Sequence, residues 1–357
     1  MKRSKKEVLD ADFAAARAGV LDVAAFLDRG DRGEGEADFR YHALMDVLPL
    51  LSASGPGRVR AILEALSYRD DTVQSGLRSP EPQQIRMMAF IEPHIHMVCR
   101  TTDEYRAMAQ AGCLAVGEPA FWAGYDRSSA DGFRDYFVQL TECEPARAAK
   151  FGMDHYTWLC INPKEAQDVA FARDVMKLIP EFIDRPNVLG IGEIGLNRNT
   201  SHEMTIFEEH LDLAVRLNQL VLIHTPHLED KLKGTVMILS ALKNRPDLDP
   251  CRVLVDHCEE HTFPLVKEAG YWAGLTLYPT SKLNPKRAAD ILELYGMDRV
   301  WANSAADWGD SDPLALTALA CELRRRGFSR QETERLLLEN PETFMGQSPK
   351  FRKVSSR

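Results

Sequence analysis

The stretch that decides the fold runs from residue 187 to residue 225: NVLGIGEIG (187–195), TSHEMTIFEEHLDLAVRLNQ (200–219) and QLVLIHT (219–225). The first and last segments are short apolar runs, which are typical of strands buried on both faces of a parallel sheet. The middle segment predicts a helix, because one apolar stripe is formed by Met204, Phe207, Leu211, Ala214 and Leu217. Thr200 and Glu203 predict a capping box at its start. The stretch is therefore a strand–helix–strand unit.

The same alternation of apolar runs and helical segments continues on both sides of this unit. Further candidate strands lie at 87–97, 112–119, 155–163, 252–258, 271–279 and 299–307. Eight strand–helix units over roughly 265 residues match the count and size of a (β/α)8 TIM barrel, which we predict as the fold. An open, doubly wound parallel sheet is the alternative, because a count of strands does not show that a sheet closes.

The N-terminal region differs from this pattern. Segments 8–27 and 39–51 carry apolar residues at helical spacing, and the polar, breaker-rich segment 67–84 reads as a connector. We therefore predict a helical extension over residues 1–84, the barrel over residues 85–350 and a tail over residues 351–357. The extension is expected to pack as a structural appendage, with a lid or an oligomer contact as alternatives.

The composition of the chain argues against some classes of partner and of cellular location. The 357 residues include 44 Lys and Arg against 53 Asp and Glu, a net charge of −9, and such a surface disfavours broad binding to nucleic acid. No apolar run is long enough to predict a membrane span. The seven cysteines are scattered without a CxxC pair, which is typical of a reducing compartment, so a cytoplasmic protein is expected.

Six polar residues stand at or near the ends of candidate strands, where the catalytic groups of barrel enzymes collect. They are His94, His96, Glu193, His224, His257 and Asp307. Each has an ordinary explanation taken singly: a satisfied core histidine, an internal ion pair or a helix cap. Together, four imidazoles and two carboxylates at one rim predict a centre for a pair of divalent cations.

Several motifs in order resemble the TatD-type metal-dependent hydrolases of the amidohydrolase superfamily. They are PHIH (93–96), GEIGLN (192–197), F-x-x-H-L-x-L-A (207–214), VLIHTP (221–226), VDHC (255–258), the acid in SAADW (304–308) and ERLLLENPETF (334–344). The resemblance covers residues 88–345. It implies a metal-dependent hydrolase on a TIM barrel.

The resemblance also implies roles for the six residues. His94, His96 and Asp307 would bind one cation, Glu193 would bridge, and His224 and His257 would bind a second. Asp307 would move the proton of the attacking water, so Asp307 and Glu193 are the expected catalytic residues. One or two divalent cations are expected, zinc first, with manganese, magnesium, iron, cobalt or nickel as alternatives.

Departures from the family pattern concern the substrate. Pro226 stands where the family has an arginine, Asn162 replaces a histidine, and SAADW replaces ETDxP. We therefore expect a small-molecule ester, amide or phosphoester as substrate and no nucleic acid. Candidate substrate-binding residues are Asn162, Thr225, Lys282 and Trp308. Asp256 is expected to point away from the face that His257 uses.

Three other functions remain open at this stage. A TatD-like DNase or phosphodiesterase follows the family directly. A phosphotriesterase-like lactonase is less favoured, since Glu193 occupies the place where such barrels often carry a carboxylated lysine. The third is a non-catalytic, metal-dependent barrel that binds a metabolite. The sequence also leaves open a homo-oligomer.

Overall fold

The computed structural model describes residues 4–55, 57–66, 88–226 and 230–354. It divides into two compact units, Met1–Gly19 with Met87–Arg357, and Val20–Arg86. The predicted connector at 67–84 lies outside the described residues. Within the described ranges, no helix is both long and apolar enough to cross a membrane.

Eight parallel strands pair in chain order and confirm the predicted (β/α)8 barrel. They are β1 (Phe90–Glu92), β2 (Cys113–Pro119), β3 (Asp154–Leu159), β4 (Val188–Gly195), β5 (Leu220–His224), β6 (Val253–Val255), β7 (Trp272–Thr276) and β8 (Val300–Asn303). Each falls inside or within one residue of a segment predicted from the sequence.

Hydrogen bonds beyond the strand ends join β8 to β1. Ala305 donates its N–H to the carbonyl oxygen of His94 at 2.8 Å, and His96 donates to Ala306 at 2.9 Å. The Ser304 amide also donates to the buried carboxyl of Glu92 at 3.2 Å. These contacts bring the two ends of the sheet together at the rim that carries the histidines, so the open-sheet alternative is wrong.

Fifteen α-helices are found in the described parts of the chain, and the first three lie in the N-terminal region. The helices are α1 (Lys5–Arg32), α2 (Phe39–Val47), α3 (Arg58–Leu66), α4 (Thr102–Gln110), α5 (Ala130–Val138), α6 (Glu144–Ala149), α7 (Val169–Met176), α8 (Ile179–Phe182), α9 (Ser201–Arg216), α10 (Lys231–Lys243), α11 (Phe263–Glu268), α12 (Pro285–Tyr295), α13 (Ala315–Arg325), α14 (Arg330–Glu334) and α15 (Asn340–Met345).

The start of α9 corrects one detail. Thr200 caps the helix as predicted, with its hydroxyl accepting from the Glu203 amide at 3.2 Å. The Glu203 carboxylate does not complete the capping box, because it accepts instead from the amides of Asn197 and Arg198, each at 2.9 Å. The buried carboxylate thereby fixes the loop that follows β4, next to the predicted site.

Alternate strand residues face two apolar clusters, because side chains along a strand point to opposite faces. On β6, Val253 and Val255 pack in the larger cluster with the helices, whereas Leu254 packs in the smaller cluster with Trp158 and Trp301. The smaller cluster therefore fills the barrel interior. The polar side chains of the site lie beyond it, at the carboxyl ends of the strands.

The contact between β4 and β5 requires a glycine. A Cβ on Gly190 would lie 2.2 Å from the Leu220 carbonyl oxygen, which is backbone and cannot rotate away. We expect Gly190→Ala to lower the free energy of unfolding by about 1–3 kcal/mol, measured by urea denaturation. Gly19→Ala is the control, since nothing lies within 4 Å of its Cβ position. In α1 this change should be neutral or stabilising by up to ~1 kcal/mol. Equal free energies of unfolding for Gly190→Ala and Gly19→Ala would contradict the close contact between β4 and β5.

Candidate metal centre

The two histidines of the H-x-H pair lie side by side just after β1. Their Nε2 atoms are 3.3 Å apart and both side chains are buried. Two nitrogens bound to one tetrahedral zinc at about 2.0–2.1 Å would lie about 3.3 Å from each other. The His96 ring is also stacked on Phe121, with ring centroids 3.7 Å apart. The pair is therefore spaced and fixed as two ligands of one ion require.

Glu193, on β4, links this pair to the other two predicted histidines. Its Oε2 lies 3.7 Å from His94 Nε2, and its Oε1 lies 2.8 Å from His257 Nε2 and contacts His224 Nδ1. Two overlapping groups result, one with His94, His96 and Glu193 and one with Glu193, His224 and His257. In each group, the potential ligand atoms lie within 4.8 Å of one another.

Electrostatics put these side chains in the state that binds metal. Burial lowers the pKa of His257 to about 3 and also lowers the pKa values of His96 and His224, so the three imidazoles are neutral. Burial alone would raise the pKa of Glu193, but the neighbouring His224 and His94 outweigh it and hold that pKa well below its usual value. Neutral imidazoles around an ionised carboxylate suit zinc and related divalent cations. His96 Nδ1 is buried and has no hydrogen-bond partner among the described residues.

The sequence argument missed Asp256. Its Oδ2 lies 2.6 Å from His94 Nδ1, and both side chains are fully buried. Since a carboxylate only accepts, Nδ1 carries the proton and Nε2 is left with its lone pair for a ligand. Burial opposes ionisation of Asp256, yet nearby His257 and the hydrogen bond from His94 hold its pKa well below the usual value.

The prediction that Asp256 points outward is wrong, and the backbone explains why. Asp256 continues the inward alternation of Leu254, while His257 enters the interior through a left-handed backbone with φ of 59°. Both side chains therefore reach the centre. The signal available in the sequence was the position of Asp256, two residues after the inward-facing Leu254.

Asp307 is placed differently from the other five predicted ligands. Its Oδ1 accepts from the Gly309 amide at 2.7 Å and from the Tyr278 hydroxyl at 3.1 Å. The described groups of side chains close enough to share one ion do not include it. Asp307 instead lines the wall of the small cavity beside the centre, so it faces the space where a substrate would react.

That cavity has a volume of about 80 Å³ and contains three of the four predicted substrate-binding residues, Asn162, Lys282 and Trp308. Thr225 is not part of its lining. The Thr225 hydroxyl donates to the carbonyl of Asp256 at 2.8 Å and accepts from Lys231 Nζ at 3.3 Å, so it braces the loop that carries Asp256 and His257.

His210 supports the rim beneath Asn162 and makes stability depend on pH. Nδ1 donates to the Ile206 carbonyl at 2.8 Å, and Nε2 accepts from the Ile161 amide at 3.4 Å, which requires a neutral ring. Burial lowers the pKa of His210 to about 4. Between about pH 6.5 and pH 4 the unfolded chain binds more protons than the folded chain, so stability falls as the pH falls.

We expect His210→Asn to reduce the acid-side loss of unfolding free energy by up to about 3 kcal/mol, measured by urea denaturation from pH 7 to pH 4. The exposed His202 on the same helix gives the control His202→Asn, which should retain the wild-type pH dependence. Identical slopes for all three proteins would contradict the assignment.

The chain is similar to several known proteins in sequence and in structure. The family described as TatD related DNase matches residues 137–300. An uncharacterized metal-dependent hydrolase of Methanocaldococcus jannaschii, MJ0761, is 28% identical over 209 residues, covering 58% of this chain and 80% of that protein. The crystal structure of a TatD-like protein from Archaeoglobus fulgidus superimposes with a TM-score of 0.59 at 26% identity, over 72% of this chain and 100% of the other. This chain is therefore similar to the TatD-type metal-dependent hydrolases.

This similarity agrees with the resemblance seen in the sequence and supports an enzyme of the metal-dependent hydrolase class. A phosphotriesterase-like lactonase of Deinococcus radiodurans is also similar, with a TM-score of 0.51 at 13% identity over 72% of this chain and 95% of that chain. At that identity the similarity shows the shared barrel alone.

Proposed function

We propose that this chain hydrolyses an ester, amide or phosphoester bond of a small molecule, with one or two divalent cations held by His94, His96, Glu193, His224 and His257. The observation that carries the proposal is the position of Glu193, whose two oxygens face different histidines: Oε2 faces His94, and Oε1 faces His224 and His257. A single carboxylate between two sets of imidazoles is a suitable bridge.

Divalent cations at such a site supply Lewis acidity and lower the pKa of water toward neutrality. The chain's own residues do the rest. Asp256 fixes the ring of His94 in the tautomer that leaves Nε2 available. Asp307 is anchored through Oδ1 alone, and no described residue hydrogen-bonds its Oδ2. Oδ2 can therefore accept the proton of the attacking water and return it to the leaving group.

A second candidate, phosphodiester cleavage in DNA, is favoured by the description of the matching family. The net charge of −9 opposes it, because an acidic surface repels a phosphate backbone. The larger cavity, which shares Trp122 and Lys164 with the one next to the centre, has a volume of about 540 Å³ and is sized for a small molecule.

Metal removal tests the proposal. The purified chain is stripped with a chelator, dialysed and reconstituted with zinc or manganese. It is then assayed with p-nitrophenyl acetate, a p-nitroanilide, bis-p-nitrophenyl phosphate and single-stranded DNA. We expect turnover of at least one small substrate to fall about a hundredfold or more on stripping and to return with metal. Turnover that survives stripping would contradict metal dependence. Cleavage of DNA with no small substrate accepted would favour the second candidate.

A further inference from the structure

A buried lysine ammonium without a hydrogen-bonded partner lines the cavity beside the centre. Lys282 is only 8% exposed, and its Nζ lies 4.6 Å above the Tyr278 ring. Among the described residues, none forms a hydrogen bond or ion pair with this Nζ. Burial of this charge is costly, and attraction to the carboxylates of Glu193 and Asp307 offsets only part of the cost. The side chain lines the same cavity as Glu193, His224 and His257.

A second lysine lines the same cavity. Lys164 Nζ lies 4.2 Å from the centre of the Trp122 ring, and its ammonium also lacks a hydrogen-bond partner within the described part of the chain. The nearby carboxylate of Glu165 is not available to it, because Glu165 pairs with Arg127 at 2.8 Å. Two ammonium groups are thus left to face one small space.

Lys164 and Trp122 also line a larger cavity of about 540 Å³, so the two spaces share a wall. This volume lies in the usual range for small-molecule sites. Arg198 contributes a further cation to the lining, at the loop fixed by Glu203. The reacting bond would lie in the smaller space and the remainder of the molecule in the larger one.

A buried ion network holds Lys282 in place. Arg287 donates to the Lys282 carbonyl at 2.6 Å, and Arg17 of α1 donates to the Ser281 carbonyl at 3.3 Å. Both guanidinium groups also bind the buried Glu259 carboxylate, at 3.3 and 3.1 Å. The backbone of the lysine is therefore ordered before any ligand binds, which reduces the entropic cost of binding.

We propose that Lys282 and Lys164 bind an anionic group of the substrate, a carboxylate or a phosphate, while the larger cavity accepts its organic part. Calling the ligand a substrate rests on the proposed function, whereas the anion site itself does not. The inference makes the substrate of this hydrolase a small organic acid or phosphate carrying the scissile bond.

Calorimetric titration tests the anion site with two probes, inorganic phosphate and succinate, on the metal-free and the zinc-loaded chain. We expect at least one probe to bind the metal-free wild type, and Lys282→Met to weaken it about tenfold or more. Lys164→Met should weaken it further in the double variant. Lys282→Arg should retain affinity within a few-fold, because it keeps the positive charge; this variant separates loss of charge from loss of folding.

The exposed Lys177 gives the control Lys177→Met, which should bind the probe with unchanged affinity. The better-bound probe identifies the preferred anion.

Three results would overturn the proposal: no binding of either probe to the metal-free wild type, equal affinity in Lys282→Met, or binding that needs zinc and survives both substitutions. Binding that needs zinc and survives both substitutions would mean that the anion binds the metal and not the lysines. Metal content and turnover of the neutral p-nitrophenyl acetate are measured in parallel. Loss of Lys282 should leave the metal content unchanged, so failure of the anion site and failure of the proposed hydrolase remain distinguishable.

Discussion

Replacing Glu193 with glutamine is expected to remove bound metal and to lower turnover about a hundredfold or more. The carboxylate contacts His224 and His257 through one oxygen and faces His94 through the other, so both sets of ligands lose their shared partner. The amide of glutamine is uncharged and offers a single weak acceptor oxygen. Zinc titration of the stripped chain and steady-state turnover measure the two effects.

The matched control is Glu208→Gln, an exposed carboxylate on α9 outside the centre. It should bind zinc and turn over substrate as the wild type does. If Glu193→Gln retains full zinc affinity and turnover while its circular dichroism spectrum is unchanged, Glu193 does not hold the metal.

Replacing Asp256 with asparagine is expected to weaken zinc binding about 10- to 100-fold. It should also lower the free energy of unfolding of the metal-free chain by about 3–5 kcal/mol. The carboxylate accepts from His94, from Asn303 at 2.9 and 3.0 Å, and from the His257 amide at 2.7 Å. An asparagine amide would turn two hydrogens toward these donors, leaving buried polar groups unpaired.

Loss of stability alone would be expected for a substitution at any buried residue. The decisive measurement is therefore the tautomer of the His94 imidazole. Nitrogen NMR of labelled histidine should show Nδ1 protonated in the wild type and a mixture of tautomers in Asp256→Asn. Asp212→Asn is the control, since Asp212 pairs with Arg245 through a largely exposed carboxylate. An unchanged tautomer together with unchanged zinc affinity would refute the role of Asp256.

Local sequence patterns were sufficient for the barrel and for most of the centre. Each strand is a short apolar run whose period and length identify it without tertiary information. A polar residue at the carboxyl end of such a run must face the rim of a parallel barrel, which is why His94, His96, Glu193, His224 and His257 could be predicted to meet.

The orientations of side chains beyond the strand ends were harder to predict than their positions. His257 has φ of 59° and Ala305 has φ of 42°, so neither side chain follows the alternation of the preceding strand. The turn at Ala305 carries Asp307 toward the Gly309 amide and the cavity wall. The backbone position of Lys282 depends on the ion pair between Glu259 and Arg17. These two residues are 242 positions apart in the chain, and no local sequence pattern reveals such a contact.

The most direct test of the account is the metal content of the chain, purified without a histidine tag or chelator and measured by plasma mass spectrometry. We expect one or two transition-metal ions per chain in the wild type. In the variant with both His94 and His96 replaced by alanine, the content should fall by at least half. A wild-type chain that holds no metal as purified and retains none after incubation with zinc or manganese would contradict the metal centre and the hydrolysis proposed to depend on it.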